Sequence, residues 1–213
     1  MIKVKRRVYS PWQENTYIVY DDSGECIVID PGMISEDENK NFDDTIERLK
    51  LKIVRVILTH AHLDHIFGCA FMAKKYGLFP ECHADDLFIY NNTENYSLQF
   101  GIKLAENPPH LGSFLTDKDK INFGNTSLEI IHVPGHSPGS LLYYSPDAKI
   151  LLSGDVLFCQ GIGRSDLPGG NHSQLINGIN EKLMILPDDV KVYPGHGPDT
   201  TIGFEKCNNP FLF

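Results

Sequence analysis

Three of the chain's nine histidines crowd into the run His60-Ala61-His62-Leu63-Asp64-His65. His60 and His62 stand two apart, so on an extended backbone their rings point the same way and can grip one cation together. Asp64 and His65 fall at the turn into a following helix, facing a neighbouring position. Gly135-His136, Gly154-Asp155 and Gly195-His196 share that setting. Each follows a predicted strand, and strand ends are where layered α/β folds assemble their sites. Imidazole nitrogen mixed with carboxylate oxygen is a donor set that zinc and other borderline metals accept. These seven side chains are too many for one tetrahedral ion and suit two ions that share a bridge. Asp155 is the natural bridge, because a carboxylate has two oxygens and an imidazole cannot span two metals. The plainer explanation is packing histidines with Asp64 as a helix cap. Four ligand-type residues within six positions, plus three beside strand-ending glycines, are hard to obtain from packing.

The elements that must position these groups follow from hydropathy pattern. Residues 1–31 read as strands, with Asp22, Ser23 and Gly24 supplying a turn and Pro31-Gly32 closing the last. Phe42, Ile46 and Leu49 recur at helical spacing, with Asp43 and Asp44 expected in the first turn. An apolar run over 53–58 suits a buried strand. Helices are expected over 66–77 and 84–90, and 91–112, with Pro108-Pro109, reads as a long surface excursion. Strands return at 127–133, 140–144 and 149–152. Leu175, Ile179, Leu183 and Leu186 mark one helix face before Pro187, and 190–193 is a last strand. Strands in both halves, each followed by helix, predict one α/β domain over 1–213. Two sheets pack together with helices outside, in a rough two-fold echo.

Composition bounds the function. A chain of 213 residues and 24.0 kDa, 41% hydrophobic and 22% charged, is globular, which excludes disorder, collagen-like repeats and coiled coil. Nineteen Lys and Arg against 28 Asp and Glu give a formal −9, so neither nucleic acid nor an anionic membrane is an expected partner. Cys26, Cys69, Cys82, Cys159 and Cys207 are scattered without a CxxC pair and read as reduced thiols. Lys3, Lys5, Arg6 and Arg7 precede Tyr9-Ser10-Pro11 rather than an apolar run, so no signal peptide is expected and the location expected is cytoplasmic.

The motifs together resemble the metallo-β-lactamase superfamily. Thr59 to His65 matches its H-x-H-x-D-H signature, and Pro134-Gly135-His136-Ser137-Pro138-Gly139-Ser140, Ser153-Gly154-Asp155 and Pro194-Gly195-His196-Gly197 match its later motifs in order. The resemblance implies a four-layer αββα sandwich of two mixed sheets. It implies a first metal site of His60, His62 and His136, and a second of Asp64, His65 and His196, with Asp155 bridging. Two divalent ions are the implied cofactors, zinc first, with iron and manganese also compatible.

Within that superfamily, Asp155 speaks against the true β-lactamases, and His62 against the di-iron flavoproteins, which carry glutamate there. Chain length and charge speak against the nucleic-acid-processing branch. Gly161-Ile162-Gly163-Arg164-Ser165-Asp166-Leu167-Pro168-Gly169-Gly170 looks like the loop of the short glyoxalase II-like hydrolases. Arg164 matches a basic residue that holds the substrate's glutathione part in full-length glyoxalase II; alternatively it pairs with a nearby carboxylate to fix the loop. The sequence runs seventeen residues past His196, so the resemblance does not extend to the helical C-terminal domain of those longer enzymes. Phe67 stands where glycine is common.

The activity implied is hydrolysis of a small hydroxyacyl thioester by a hydroxide bridging two ions, with Asp64 orienting the nucleophile as well as ligating. A thiolate leaves without a strong general acid, so no Ser-His-Asp or Cys-His machinery is required. An iron-dependent persulfide dioxygenase on the same scaffold is the alternative, and a non-catalytic metal-binding module a third. His132 is expected to donate a hydrogen bond behind the metal ligands, His83 to cap a helix or face an interface, and His110 and His172 to be solvated. Tyr143, Tyr144 and Phe158 are expected in core or pocket wall.

Overall fold

The computed structural model describes residues 1–212. β1 (Lys3–Tyr9), β2 (Glu14–Tyr20) and β3 (Glu25–Ile29) run antiparallel, and β4 (Lys52–Ile57) and β5 (Pro80–Glu81) add in parallel to make a five-stranded sheet. β6 (Lys120–Phe123), β7 (Thr126–His132), β8 (Leu141–Ser145) and β9 (Ile150–Gly154) run antiparallel in the second sheet. β10 (Leu157–Phe158) and β11 (Gly161–Ile162) form a small ribbon on the way to β12 (Lys191–Pro194). β12 lies parallel to β9, and β13 (Thr200–Thr201) closes the six-stranded order β13-β12-β9-β8-β7-β6. Each sheet is an antiparallel meander extended by a parallel strand, β4 on β3 and β12 on β9, which is the two-fold echo in the chain.

The alternation of side chains builds the layers. Tyr17, Val19, Ile27, Ile29 and Ile57 of the first sheet pack against Leu128, Ile130, Leu141, Tyr143 and Leu152 of the second. Ile18, Cys26, Val28 and Val56 point the other way, onto Phe42 and Ile46 of α1 (Glu36–Leu49) and Met72 of α2 (Cys69–Tyr76). On the far side Leu142, Tyr144, Leu151 and Val192 meet Leu175 of α5 (His172–Gly178) and Ile202 of α6 (Ile202–Asn208). Sheets covered on both faces explain why β2 to β4 read as apolar runs. Each large side chain buried here contributes about 1.5–3 kcal/mol. The order is helix, sheet, sheet, helix: an αββα sandwich.

Several boundaries differ from the sequence expectation. α1 starts at Glu36, so Asp43 and Asp44 lie mid-helix. Ser35 Oγ accepts from Glu38 N (3.2 Å), and Glu36, Asp37 and Glu38 fill the positive first turn. The helix expected from residue 66 begins at Cys69, after a 3₁₀ turn over Leu63–His65. Residues 84–91 form a 3₁₀ turn and α3 (Leu87–Asn91), and the presumed excursion contains a further helix, α4 (Thr93–Gln99). The face at Leu175 to Leu183 passes from α5 into a π-turn over Ile179–Leu183, and α6 had no expected counterpart. Among the described residues no helix is long and apolar enough to cross a membrane.

Candidate metal centre

The seven side chains emerge from the ends of β4, β7, β9 and β12 or the loops that follow, all at one end of the sandwich. Backbone geometry there leaves no room for larger residues. Gly135 adopts φ +134°, and a Cβ on Gly195 would lie 2.2 Å from Asp155 Oδ1 and 2.8 Å from His65 Cε1.

His60, His62 and His136 form one group. His136 donates from Nδ1 to the Arg164 carbonyl (2.7 Å), which leaves the lone pair on Nε2. That nitrogen lies 3.1 Å from His60 Nε2 and 2.8 Å from His62 Nδ1. Thr59 Oγ1 donates to Asp30 Oδ2 (2.5 Å), so it accepts from His60 Nδ1 (3.0 Å) and turns the Nε2 lone pair of His60 inward as well. Burial holds His60 well below the ordinary histidine range, and burial with the neighbouring His136 lowers His62 to about 3. Both therefore stay neutral, the form that ligates.

Asp64, His65 and His196 form the second group. His65 donates from Nδ1 to Asp30 Oδ2 (3.0 Å) and His196 from Nδ1 to the Trp12 carbonyl (3.2 Å), so both Nε2 atoms face inward. His196 Nε2 lies 3.1 Å from Asp64 Oδ2. Asp155 sits between the groups: Oδ1 is 3.5 Å from His65 Nε2, and Oδ2 is 3.6 Å from His196 Nε2 and 3.8 Å from His136 Nε2. Burial pushes the Asp64 and Asp155 carboxyls up, but the surrounding imidazoles outweigh it and keep both below the usual carboxylate range. Burial lowers His65, yet Asp64, Asp155 and Asp30 outweigh it and raise it.

These groups fit a pair of divalent cations. His65 Nε2 and Asp155 Oδ1 are buried without a hydrogen-bond partner among the described residues, a costly state that a shared cation would relieve. In each trio the donor atoms lie within 4.8 Å of one another.

Residues not anticipated from sequence hold this centre. Asp30 anchors Thr59 and His65. Asp86, fully buried, accepts from Ala61 N (3.0 Å), Ser137 Oγ (2.9 Å) and Gly139 N (2.6 Å), tying the first histidine loop to the His136 loop. A chamber of about 530 Å³ opens over the centre, with Trp12, Tyr96, Phe100, Phe158, Leu167 and Pro168 in its wall. Phe67 packs against Trp12 with ring centroids 5.7 Å apart. Arg164 borders the chamber, and its guanidinium is paired with Asp166.

The remaining expectations divide. His132 does not reach a ligand ring; its Nε2 donates to the Pro138 carbonyl (2.8 Å) and its ring stacks on His83. His83 caps the turn over Ala84–Asp86 by accepting from Asp85 N. His110 stacks on Phe79, and His172 begins α5. Tyr143 and Tyr144 are core and Phe158 is pocket wall. Asp64 is not a helix cap: it lies inside the turn over Leu63–His65, His62 holds the cap position, and the Asp64 carboxylate faces the centre.

Residues 9–196 match the family model described as the metallo-beta-lactamase superfamily. The hydroxyacylglutathione hydrolase GloC of Haemophilus influenzae is 34% identical, covering 94% of this chain and 93% of its own. The crystal structure of TTHA1623 in a di-iron-bound form superposes with a TM-score of 0.88 at 34% identity, covering 98% and 100%. That of the BLEG-1 B3 metallo-beta-lactamase superposes with a TM-score of 0.86 at 36% identity, covering 100% and 99%.

Proposed function

The chain belongs to the metallo-β-lactamase superfamily, and from that premise we propose that it is a metal-dependent hydrolase that cleaves a small hydroxyacyl thioester. The observation that carries the reading is the meeting of two donor trios across Asp155 beneath one chamber. His60, His62 and His136 would hold one cation and Asp64, His65 and His196 the other, with Asp155 shared. Zinc is the proposed ion, iron and manganese being compatible with the same donors. When bound, the two cations supply Lewis acidity, which makes water nucleophilic at neutral pH and polarises a carbonyl oxygen.

The chain's own residues do the rest. Asp64, ionised and turned into the centre, ligates and accepts a hydrogen bond from the attacking water, fixing its direction. Water adds to the acyl carbon, the C–S bond breaks, and a carboxylic acid and a thiol result. The departing thiolate, with a conjugate-acid pKa of about 8.5, needs no strong proton donor. Burial pushes the Cys26 and Cys82 thiols up to about 12 and raises that of Cys69 well above its ordinary value, so these are packing groups rather than nucleophiles. Free cysteines suit a reducing, cytoplasmic setting. Arg164 contacts substrate beside the entrance, its guanidinium steadied by Asp166.

The name of the GloC relative supports the thioester reading. The iron in the TTHA1623 structure keeps persulfide dioxygenation as the second reading. Zinc-loaded protein offered a panel of hydroxyacyl thioesters is expected to release thiol and acid in equal amounts. No cleavage above the metal-free rate overturns the reading. One iron per chain with oxygen uptake on a persulfide replaces it with the second, and faster opening of a β-lactam replaces it with that of the BLEG-1 neighbour.

A further inference from the structure

The half of the substrate that leaves as a thiol must lie in the chamber beyond the donor groups, and the chamber's wall there is apolar. Trp12 comes from the turn between β1 and β2, and Phe100 from the end of α4. Their rings meet edge-on, with centroids 5.3 Å apart at 79°. Phe67 backs Trp12 at 5.7 Å, so three segments distant in sequence close one aromatic wall, with Tyr96 beside it. Phe100 nonetheless remains 54% exposed. Apolar surface left open at the mouth of a pocket marks a place where something binds.

The charges point the same way. Among the described residues Arg164 is the one Lys or Arg lining the chamber, and one edge of its guanidinium is held by Asp166: Nε lies 2.8 Å from Oδ1 and Nη2 2.7 Å from Oδ2. The other charged lining groups are the carboxylates and imidazoles of the donor centre. An anionic carrier would have to compete with Asp166 for Arg164, whereas an uncharged one would not. A chamber of about 530 Å³ also exceeds what a small hydroxyacyl group fills, which leaves the S-linked group to occupy the wall.

We infer that Trp12, Tyr96 and Phe100 form a recognition subsite for an uncharged, apolar S-substituent, aromatic or branched aliphatic. This rests on the thioester reading and names the class of thiol that the substrate carries. Trp12 is the only tryptophan in the chain, so intrinsic emission reports the subsite directly. The probes are a hydroxyalkyl benzyl thioether and the matching thioether of glutathione, neither of which can be hydrolysed. In the zinc-loaded protein the benzyl probe shifts the Trp12 emission and binds at least tenfold more tightly than the glutathione probe. Phe100→Ala, at a half-exposed position, removes most of that preference, and Phe100→Tyr retains it. Lactoyl thioesters of the same two thiols show a matching tenfold preference in kcat/KM. Equal or tighter binding of the glutathione probe overturns the inference, as does a preference untouched by Phe100→Ala. Preferential cleavage of the glutathione thioester would leave the hydrolase reading standing and remove the subsite. Benzyl-probe binding without cleavage of any thioester would do the reverse.

Discussion

Asp30 Oδ2 accepts the Nδ1 proton of His65 at 3.0 Å, and the same oxygen accepts the hydroxyl proton of Thr59 at 2.5 Å. Thr59 in turn accepts from His60 Nδ1. One buried carboxylate thus fixes the tautomer of a histidine in each donor trio, directly in one and through a hydroxyl in the other. Groups behind metal ligands set ring orientation and basicity.

Asp30→Ala is therefore expected to weaken both cation sites, each by about 10–100-fold. Thr59→Val keeps the Asp30–His65 bond and should weaken only the site built on His60, His62 and His136. Zinc titration against a chromophoric chelator resolves the two steps. Equal losses at both sites in Thr59→Val would contradict the relay.

Asp86 acts through the backbone. Its two oxygens satisfy Ala61 N, Ser137 Oγ and Gly139 N in a fully buried setting. Asp86→Ala strands three donors, each costing about 1–3 kcal/mol, so a stability loss of about 3 kcal/mol or more is expected in urea unfolding. Ser137→Ala removes one of the three and should cost about 1 kcal/mol. Comparable losses in the two variants would refute the bridging role.

Asp21 joins the turn after β2 to the turn between β6 and β7, accepting from Ser23 N, Ser23 Oγ, Asn125 N and Thr126 Oγ1. Burial raises its pKa, but these hydrogen bonds outweigh burial and bring it to about 2. The unfolded chain titrates near 3.9, so the contribution is full above about pH 4 and is lost as pH falls toward 2. Asp21→Asn should be less stable than the parent by about 2 kcal/mol at pH 7, with the gap closing between pH 4 and 2. A gap independent of pH would show that the carboxylate charge is irrelevant.

How much of this was legible in sequence depends on distance along the chain. His60, His62, Asp64 and His65 announce themselves because their spacing is local, and His136, Asp155 and His196 because glycine precedes each at a strand end. The sandwich was readable because the inner strands β2, β3, β8 and β9, buried on both faces, are largely apolar runs. Asp30 and Asp86 were not, since their partners lie 25 to 53 residues away and a lone aspartate after a strand reads as a turn. α4 was hidden by Asn-rich sequence before Pro108-Pro109, and its chamber residues Tyr96 and Phe100 went with it. Ser35, more than a turn ahead of the apolar pattern, set the true start of α1. Trp12 carries no local signal; only the fold brings it over the centre.

Metal content measured by elemental analysis after zinc loading and desalting tests the paired centre most directly. Two ions per chain are expected in the parent protein, with one each in His62→Ala and His196→Ala, the retained ion being the one whose trio is intact. A single ion in the parent, unaffected by His196→Ala, would contradict a two-cation site.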